Sequence, residues 1–227
     1  KKNDIERLIE NDFKLDLQSN SIVFFGKNGI KIQPKNTNQN KMVDLSFRKE
    51  LLFVLGPAGT GKTYMSIALA VKALKEKKIK KIILTRPAVE AGENLGFLPG
   101  DLYDKLSPYM QPLYDSLNDM LSKEKLNYYM ENNQIEIVPL AFMRGRTLDQ
   151  AFVILDEAQN TTINQMKMFL TRMGPSSRFI VCGDTSQIDL PLTQESGLIH
   201  ASRVLKSVDA IGFITFNERD IIRHELV

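Results

Sequence analysis

Cysteine is nearly missing from this chain: Cys182 is the only one in 227 residues. No disulfide framework can form, and a lone thiol inside an apolar run fits a reducing compartment. Long hydrophobic runs are missing too. None approaches the ~18 residues of a membrane span, and no secretory signal is visible at the start. The expectation is a cytoplasmic protein with no membrane partner. Charge of one sign is not in large excess, with 30 Lys and Arg against 27 Asp and Glu, a net charge of +3 and a pI near 8.8. That mild basicity permits a nucleic-acid partner without requiring one. There are no internal repeats and no low-complexity tract. A 43% hydrophobic content over this length supports one sizeable core and one main domain. The start at Lys1 and the abrupt end at Val227 suggest a trimmed chain.

What the chain does have is a glycine-rich break, GPAGTGKT, formed by Gly56, Pro57, Ala58, Gly59, Thr60, Gly61, Lys62 and Thr63. It fits the phosphate-binding pattern G-x-x-x-x-G-K-S/T. The apolar run Leu51–Leu55 before it has the length of a buried strand, and residues 62–76 after it are rich in helix formers. Strand, glycine loop and helix in that order are the context the pattern requires. Glycines let backbone N–H groups come close to phosphate oxygens, and the helix N-terminus adds a favourable partial charge. Lys62 is expected to reach the β- and γ-phosphates and the Thr63 hydroxyl to ligate Mg²⁺. The ligand class is a nucleoside triphosphate with magnesium.

From Leu51 onward, strands and helices alternate. Strands are expected at 51–55, 81–85, 135–138, 152–155, 178–182 and 212–216, with helices at 62–76, 101–130, 162–173 and 196–206. This order predicts an α/β fold, a mostly parallel sheet flanked by helices. Ahead of it, residues 1–20 read as a short polar helix and connector. Residues 21–33 read as a hairpin turning at Asn28-Gly29. Residues 34–41 read as a polar loop leading into a short helix at 42–47. Ligands of such sheets bind at the carboxyl ends of the strands. The lysine-rich run 72–81 falls at the other edge and reads as a solvated turn.

Two further strand ends carry polar groups. FVILDEAQN, residues 152–160, is an apolar strand closing on two carboxylates. Asp156 can hold the magnesium shell, and Glu157 is placed to polarise an attacking water. In IVCGDTSQIDLP, residues 180–191, Gln187 can donate to the γ-phosphate or its attacking water, while Asp184 can serve as a helix cap. The adjacent Asp-Glu pair is that of RecA- or helicase-type nucleotidases. A guanine-reading Asn-Lys-x-Asp string is missing, because Asn40 to Asp44 is one residue too long and precedes the loop. GTP is disfavoured.

These strings, with TRPAVEAGENLGFLPGDL (85–102), PLAFMRGRTL (139–148) and DIIRHELV (220–227), resemble the PhoH family of ATPases over roughly residues 20–227. The resemblance implies a RecA-like P-loop NTPase core with ATP as substrate in a cytoplasmic bacterial protein. It also implies RNA as a partner, with a place in an RNA-processing complex. On this reading residues 1–40 form a helix and hairpin extension with an adenine-side loop, and residues 41–227 form the ATPase domain. Gln39 takes the place of the family's adenine-reading glutamine, although here its string lacks the family's proline; a solvated loop glutamine is the alternative. Arg86 either touches nucleic acid or pins its own loop to Glu90 or Glu93. Arg144 and Arg146 either meet RNA phosphates or form structural ion pairs. Arg223 resembles the γ-phosphate arginine of superfamily 1 helicases, in which a second domain completes the site. That predicts a homo-oligomer, a hexameric ring with each Arg223 facing its neighbour's nucleotide, unless Arg223 pairs with Asp220 or Glu225 of its own subunit. The functional expectation is an ATPase that remodels RNA, against a slow nucleotide-dependent protein-binding switch.

Overall fold

Six apolar runs become six strands, all lying parallel in one sheet. In the computed structural model, which describes residues 22–87 and 102–222, these are β3 (Leu51–Leu55), β4 (Lys81–Arg86), β5 (Ile135–Pro139), β6 (Ala151–Leu155), β7 (Arg178–Gly183) and β8 (Ile211–Thr215). Their spatial order is β5-β4-β6-β7-β3-β8, and each neighbouring pair is parallel. A parallel sheet covered on both faces needs apolar residues at every position. In β6 all five are buried.

Alternation along the strands then feeds two cores. Leu52, Val54, Ile82, Leu84, Ile154 and Ile180 face one side. There they meet α1 (Thr37–Arg48), α2 (Lys62–Lys75), α3 (Leu102–Met120) and α4 (Lys123–Glu131). Phe53, Ile83, Val153, Phe179 and Val181 face the other, covered by α5 (Ile163–Leu170) and α6 (Gly197–Leu205). The Phe53 and Phe213 rings stack with centroids 4.9 Å apart. Because α2 lies between the sheet and its neighbours, it buries residues on nearly every side, among them Met65, Ile67, Ala68, Leu69 and Val71.

The N-terminal hairpin is shorter than expected. Strand β1 (Phe24–Phe25) pairs antiparallel with β2 (Lys31–Ile32), and the turn uses left-handed Asn28 and Gly29, φ 54° and 76°. The polar loop expected at 34–41 is largely helix. Asn36 caps α1 by accepting the Gln39 backbone N–H, so the helix starts at Thr37. Val23, Ile32 and Met42 belong to the same core as the sheet. The long helix expected over 101–130 is two helices, separated where Ser122 caps α4. The lysine-rich run sits at the far end of α2, mostly exposed. There Lys75 lies 4.3 Å above the Phe24 ring and Lys78 pairs with Glu76 at 2.6 Å. Among the described residues no helix is long and apolar enough to cross a membrane.

Candidate nucleotide-binding site

This strand order sets the carboxyl ends of β3, β4, β6 and β7 side by side. β3 delivers the glycine loop to this edge, and its glycines are required there. A side chain at Gly56 (φ +140°) would land 2.6 Å from the Phe216 carbonyl oxygen, and one at Gly61 (φ +78°) 2.7 Å from Gln39 Nε2. Thr60 Oγ1 donates to the Pro57 carbonyl at 2.9 Å, tightening the loop. Lys62 opens α2 and is buried. Its Nζ donates to the carbonyls of Gly56 and Pro57, each at 2.7 Å, which lays the ammonium along the loop with one N–H still to place.

β6 delivers the carboxylates. Asp156 is 2% exposed. Its Oδ1 accepts the Thr63 hydroxyl at 2.5 Å, and its Oδ2 accepts Arg86 Nε at 2.8 Å and Nη2 at 2.5 Å. A hydroxyl and a carboxylate converging in this way supply the hard oxygens that magnesium takes. Magnesium is bound through one or two protein oxygens and completes its shell with phosphates and water. The Thr63 hydroxyl and the Asp156 carboxylate, in contact at 2.5 Å, are oxygen donors of that kind.

Glu157 follows in a left-handed conformation, φ 53°, which turns its side chain out of the strand and leaves it 46% exposed. Gln159 steadies it. The Gln159 amide, 1% exposed, donates from Nε2 to Glu157 Oε2 at 2.7 Å and accepts the Asp184 N–H on Oε1 at 3.0 Å. One buried amide thus links the ends of β6 and β7. Sequence reading missed Gln159 as a site residue. The signal was an amide two residues beyond a carboxylate pair, but its second partner is 25 residues away.

Asp184 is not a helix cap. It accepts the Ala58 N–H at 3.2 Å, and the Ser186 N–H at 2.9 Å and hydroxyl at 2.6 Å, so it fastens the glycine loop to the end of β7. Burial pushes its carboxyl up, but the bonds from Ser186 and Ala58, helped by the Lys62 charge, outweigh that and hold it below its usual 3.8. A depressed value means that the charged form stabilises the fold above the ordinary carboxylate range, and that this support is lost as pH falls through the folded value. Asp184→Asn is expected to lower the melting temperature by roughly 2–4 °C at neutral pH. The gap from wild type should close below pH ~4; a gap that stays constant on acidification would contradict the assignment.

The groups line a cavity of about 300 Å³ that includes Lys62, Thr63, Arg86, Asp156, Glu157 and Gln187. Gln187 is exposed, with its backbone N–H bonded to the Asp184 carbonyl at 3.1 Å. A second cavity, about 420 Å³, adjoins the first across Gly59, Gly61 and Tyr64 and is lined by Gln33, Gln39 and Ile222. Cys182, below the loop, is fully buried, and burial reinforced by the Asp156 charge pushes its thiol up to about 12.

Other candidates meet different partners. Gln39 is not a solvated loop residue, and its amide is already engaged on both sides while it lines the second cavity. It is buried in the first turn of α1, donates to the Thr60 carbonyl at 2.9 Å and accepts the Lys35 N–H at 2.7 Å. Its amide braces the glycine loop. Arg86 turns to Asp156 and also donates to the Tyr109 carbonyl at 2.9 Å; Glu90 and Glu93 lie outside the described residues. Arg146 takes the structural alternative and pairs with Glu136 at 2.7 Å, while Arg144 is exposed. Arg223 lies outside the described residues. Asp220, one partner considered for it, accepts Asn38 Nδ2 at 2.7 Å and the Asn217 N–H at 2.9 Å.

A glycine loop and helix N-terminus, with a buried carboxylate at the end of a parallel strand one removed in the same sheet, define a P-loop NTPase fold. The sequence profile of the PhoH-like protein family matches residues 31–227. A PhoH-like protein of Bacillus subtilis is 53% identical over 227 residues, covering 100% of this chain and 69% of its own. Protein PhoH of Escherichia coli K12 is 47% identical over 180 residues, 78% of this chain and 51% of its own. A PhoH-like protein of Mycobacterium tuberculosis H37Rv is 53% identical over 201 residues, 88% and 57%. The chain thus spans little more than half the length of the latter two. Among solved structures, the UvsW helicase of bacteriophage T4 superposes with a TM-score of 0.49 at 14% identity, over 92% of this chain and 67% of that one. The chain belongs to the PhoH-like protein family.

Proposed function

We propose that this chain hydrolyses ATP with Mg²⁺ and couples that cycle to RNA binding or remodelling. The observation that carries the reading is the posture of Glu157. It is turned into the phosphate cavity and steadied by a buried amide at 2.7 Å, beside the Thr63–Asp156 pair. A nucleotide switch with no chemistry has little use for a second carboxylate held in that way.

The roles follow from the groups. Backbone N–H groups of the loop and the Lys62 ammonium bind phosphate oxygens. Thr63 and Asp156 hold the ion, whose chemistry when bound is to neutralise charge on the phosphates. Glu157 takes a proton from the attacking water, and Gln187 donates to the oxygens around it. The adjoining cavity beside Gln33 and Tyr64 suits a base and sugar, and the lack of a guanine-reading string favours adenine. For RNA, the exposed Arg144 is the readiest phosphate contact, because Arg86 and Arg146 are already ion-paired.

ATP turnover measured with and without single-stranded RNA tests the reading. RNA is expected to raise turnover and to bind with an affinity that falls steeply with salt. RNA that does not bind even at low salt, with or without a non-hydrolysable ATP analogue, would favour a protein-binding switch.

A further inference from the structure

Asp156 has two oxygens and one charge, and both oxygens are in use. Thr63 takes Oδ1 and the Nε–Nη2 edge of Arg86 takes Oδ2. The pair is well shielded from water, with side chains 15% and 3% exposed. Arg86 is also anchored from behind, because its Nη1 donates to the Tyr109 carbonyl of α3. A cation held on three bonds, over the carboxylate that fits a divalent ion, is a competitor for that ion.

We infer that Arg86 is a selectivity guard on Asp156: it excludes free divalent cations and yields the carboxylate only to an ion that arrives with nucleotide. This rests on the metal role proposed for Thr63 and Asp156. Free Mg²⁺ must displace a guanidinium from one carboxylate oxygen and share a single negative charge with it. An ion carried on a triphosphate brings its own negative charge. The phosphates neutralise the ion and draw the released Nε–Nη2 edge, which the Tyr109 anchor keeps at the cavity; in the closed pair Nη2 already lies 4.0 Å from Glu157 Oε1. The exchange costs little with nucleotide and much without it.

Mn²⁺ titrated into the nucleotide-free protein, with the unbound ion counted by electron paramagnetic resonance, tests this directly. Arg86→Gln is expected to bind Mn²⁺ about tenfold or more tightly than wild type, and adding Asp156→Asn is expected to cancel the gain. No gain, or a gain that survives Asp156→Asn, overturns the inference. The wild-type chain gives a second readout that needs no substitution. The Arg86 Nε–H resonance should move on adding Mg²⁺ with a non-hydrolysable ATP analogue and stay put with Mg²⁺ alone. A shift with Mg²⁺ alone also overturns it. Mg²⁺-dependent binding of the analogue to wild type and to Asp156→Asn, measured in parallel, tests the metal role itself, which can hold while the guard fails. A purely structural ion pair would stay closed, leaving the Arg86 Nε–H resonance in place with Mg²⁺ and the analogue as well as with Mg²⁺ alone.

Discussion

A Lys62→Ala chain is expected to lose nucleotide affinity by on the order of 10²-fold or more while keeping its fold, because charge-assisted hydrogen bonds to phosphate run to roughly 1.5–3 kcal/mol each. The Lys62 ammonium is not waiting for a ligand as its only partner, since it already bonds the Gly56 and Pro57 carbonyls. Those carbonyls belong to a loop at the cavity wall, where water can replace the lost donor. The loop is also held without Lys62, by Asp184 at Ala58, by Gln39 at Thr60 and by the Ile222 N–H at the Gly59 carbonyl, 2.9 Å. Calorimetric titration with an ATP analogue, beside thermal unfolding of both proteins, separates binding from folding. An unchanged affinity would remove the phosphate site as assigned.

Glu157→Gln is expected to leave binding intact and to lower ATP turnover by ~10²–10⁴-fold, the usual worth of a positioned general base. The substitution keeps size and shape. The amide oxygen can still accept from Gln159 Nε2, and the left-handed backbone at φ 53° is as demanding for glutamine as for glutamate. What is lost is the negative charge and, with it, the capacity to take a proton. Single-turnover hydrolysis with pre-bound ATP reads the chemical step free of binding. Turnover near wild type would show that another group takes the proton, while loss of binding would mean that Glu157 has a structural duty. Asp156→Asn should differ, since it disturbs both Thr63 and Arg86.

The parts of this site that could be read from sequence are those whose chemistry demands neighbouring residues. Gly56 to Thr63 form one unbroken string, a loop running into the first turn of α2, because a phosphate needs several consecutive N–H groups. Asp156 and Glu157 were readable because an apolar strand must end at the ligand edge of a parallel sheet. What could not be read was pairing through space. Arg86 and Asp156 are 70 residues apart, and only the adjacency of β4 and β6 brings them together; nothing local distinguishes an arginine bound for a carboxylate from one bound for RNA. The string Asn36 to Gln39 misled for another reason. Its polarity reads as loop, yet Asn36 is a strong helix cap, and contacts to Asp220 and Thr60 add the tertiary support that overrides weak propensity. Gln39 consequently ended as a brace inside a helix.

The glycine loop is clasped by segments from opposite ends of the described chain, and this bears on how the protein is made. Its brace from α1 precedes it, but β8, the partner of β3, and the clasp at Ile222 follow it by about 150 residues or more. Asn38 meets Asp220 across 182 positions. During synthesis, at about 5–20 residues per second, β3 and its loop leave the ribosome many seconds before β7 and β8 exist to flank them. Such long-range closure is slow to form and leaves an apolar strand unpaired in the meantime. The phosphate cradle of this protein is translated well before the segments that close it, and is completed only after β8 and residue 222 have been made.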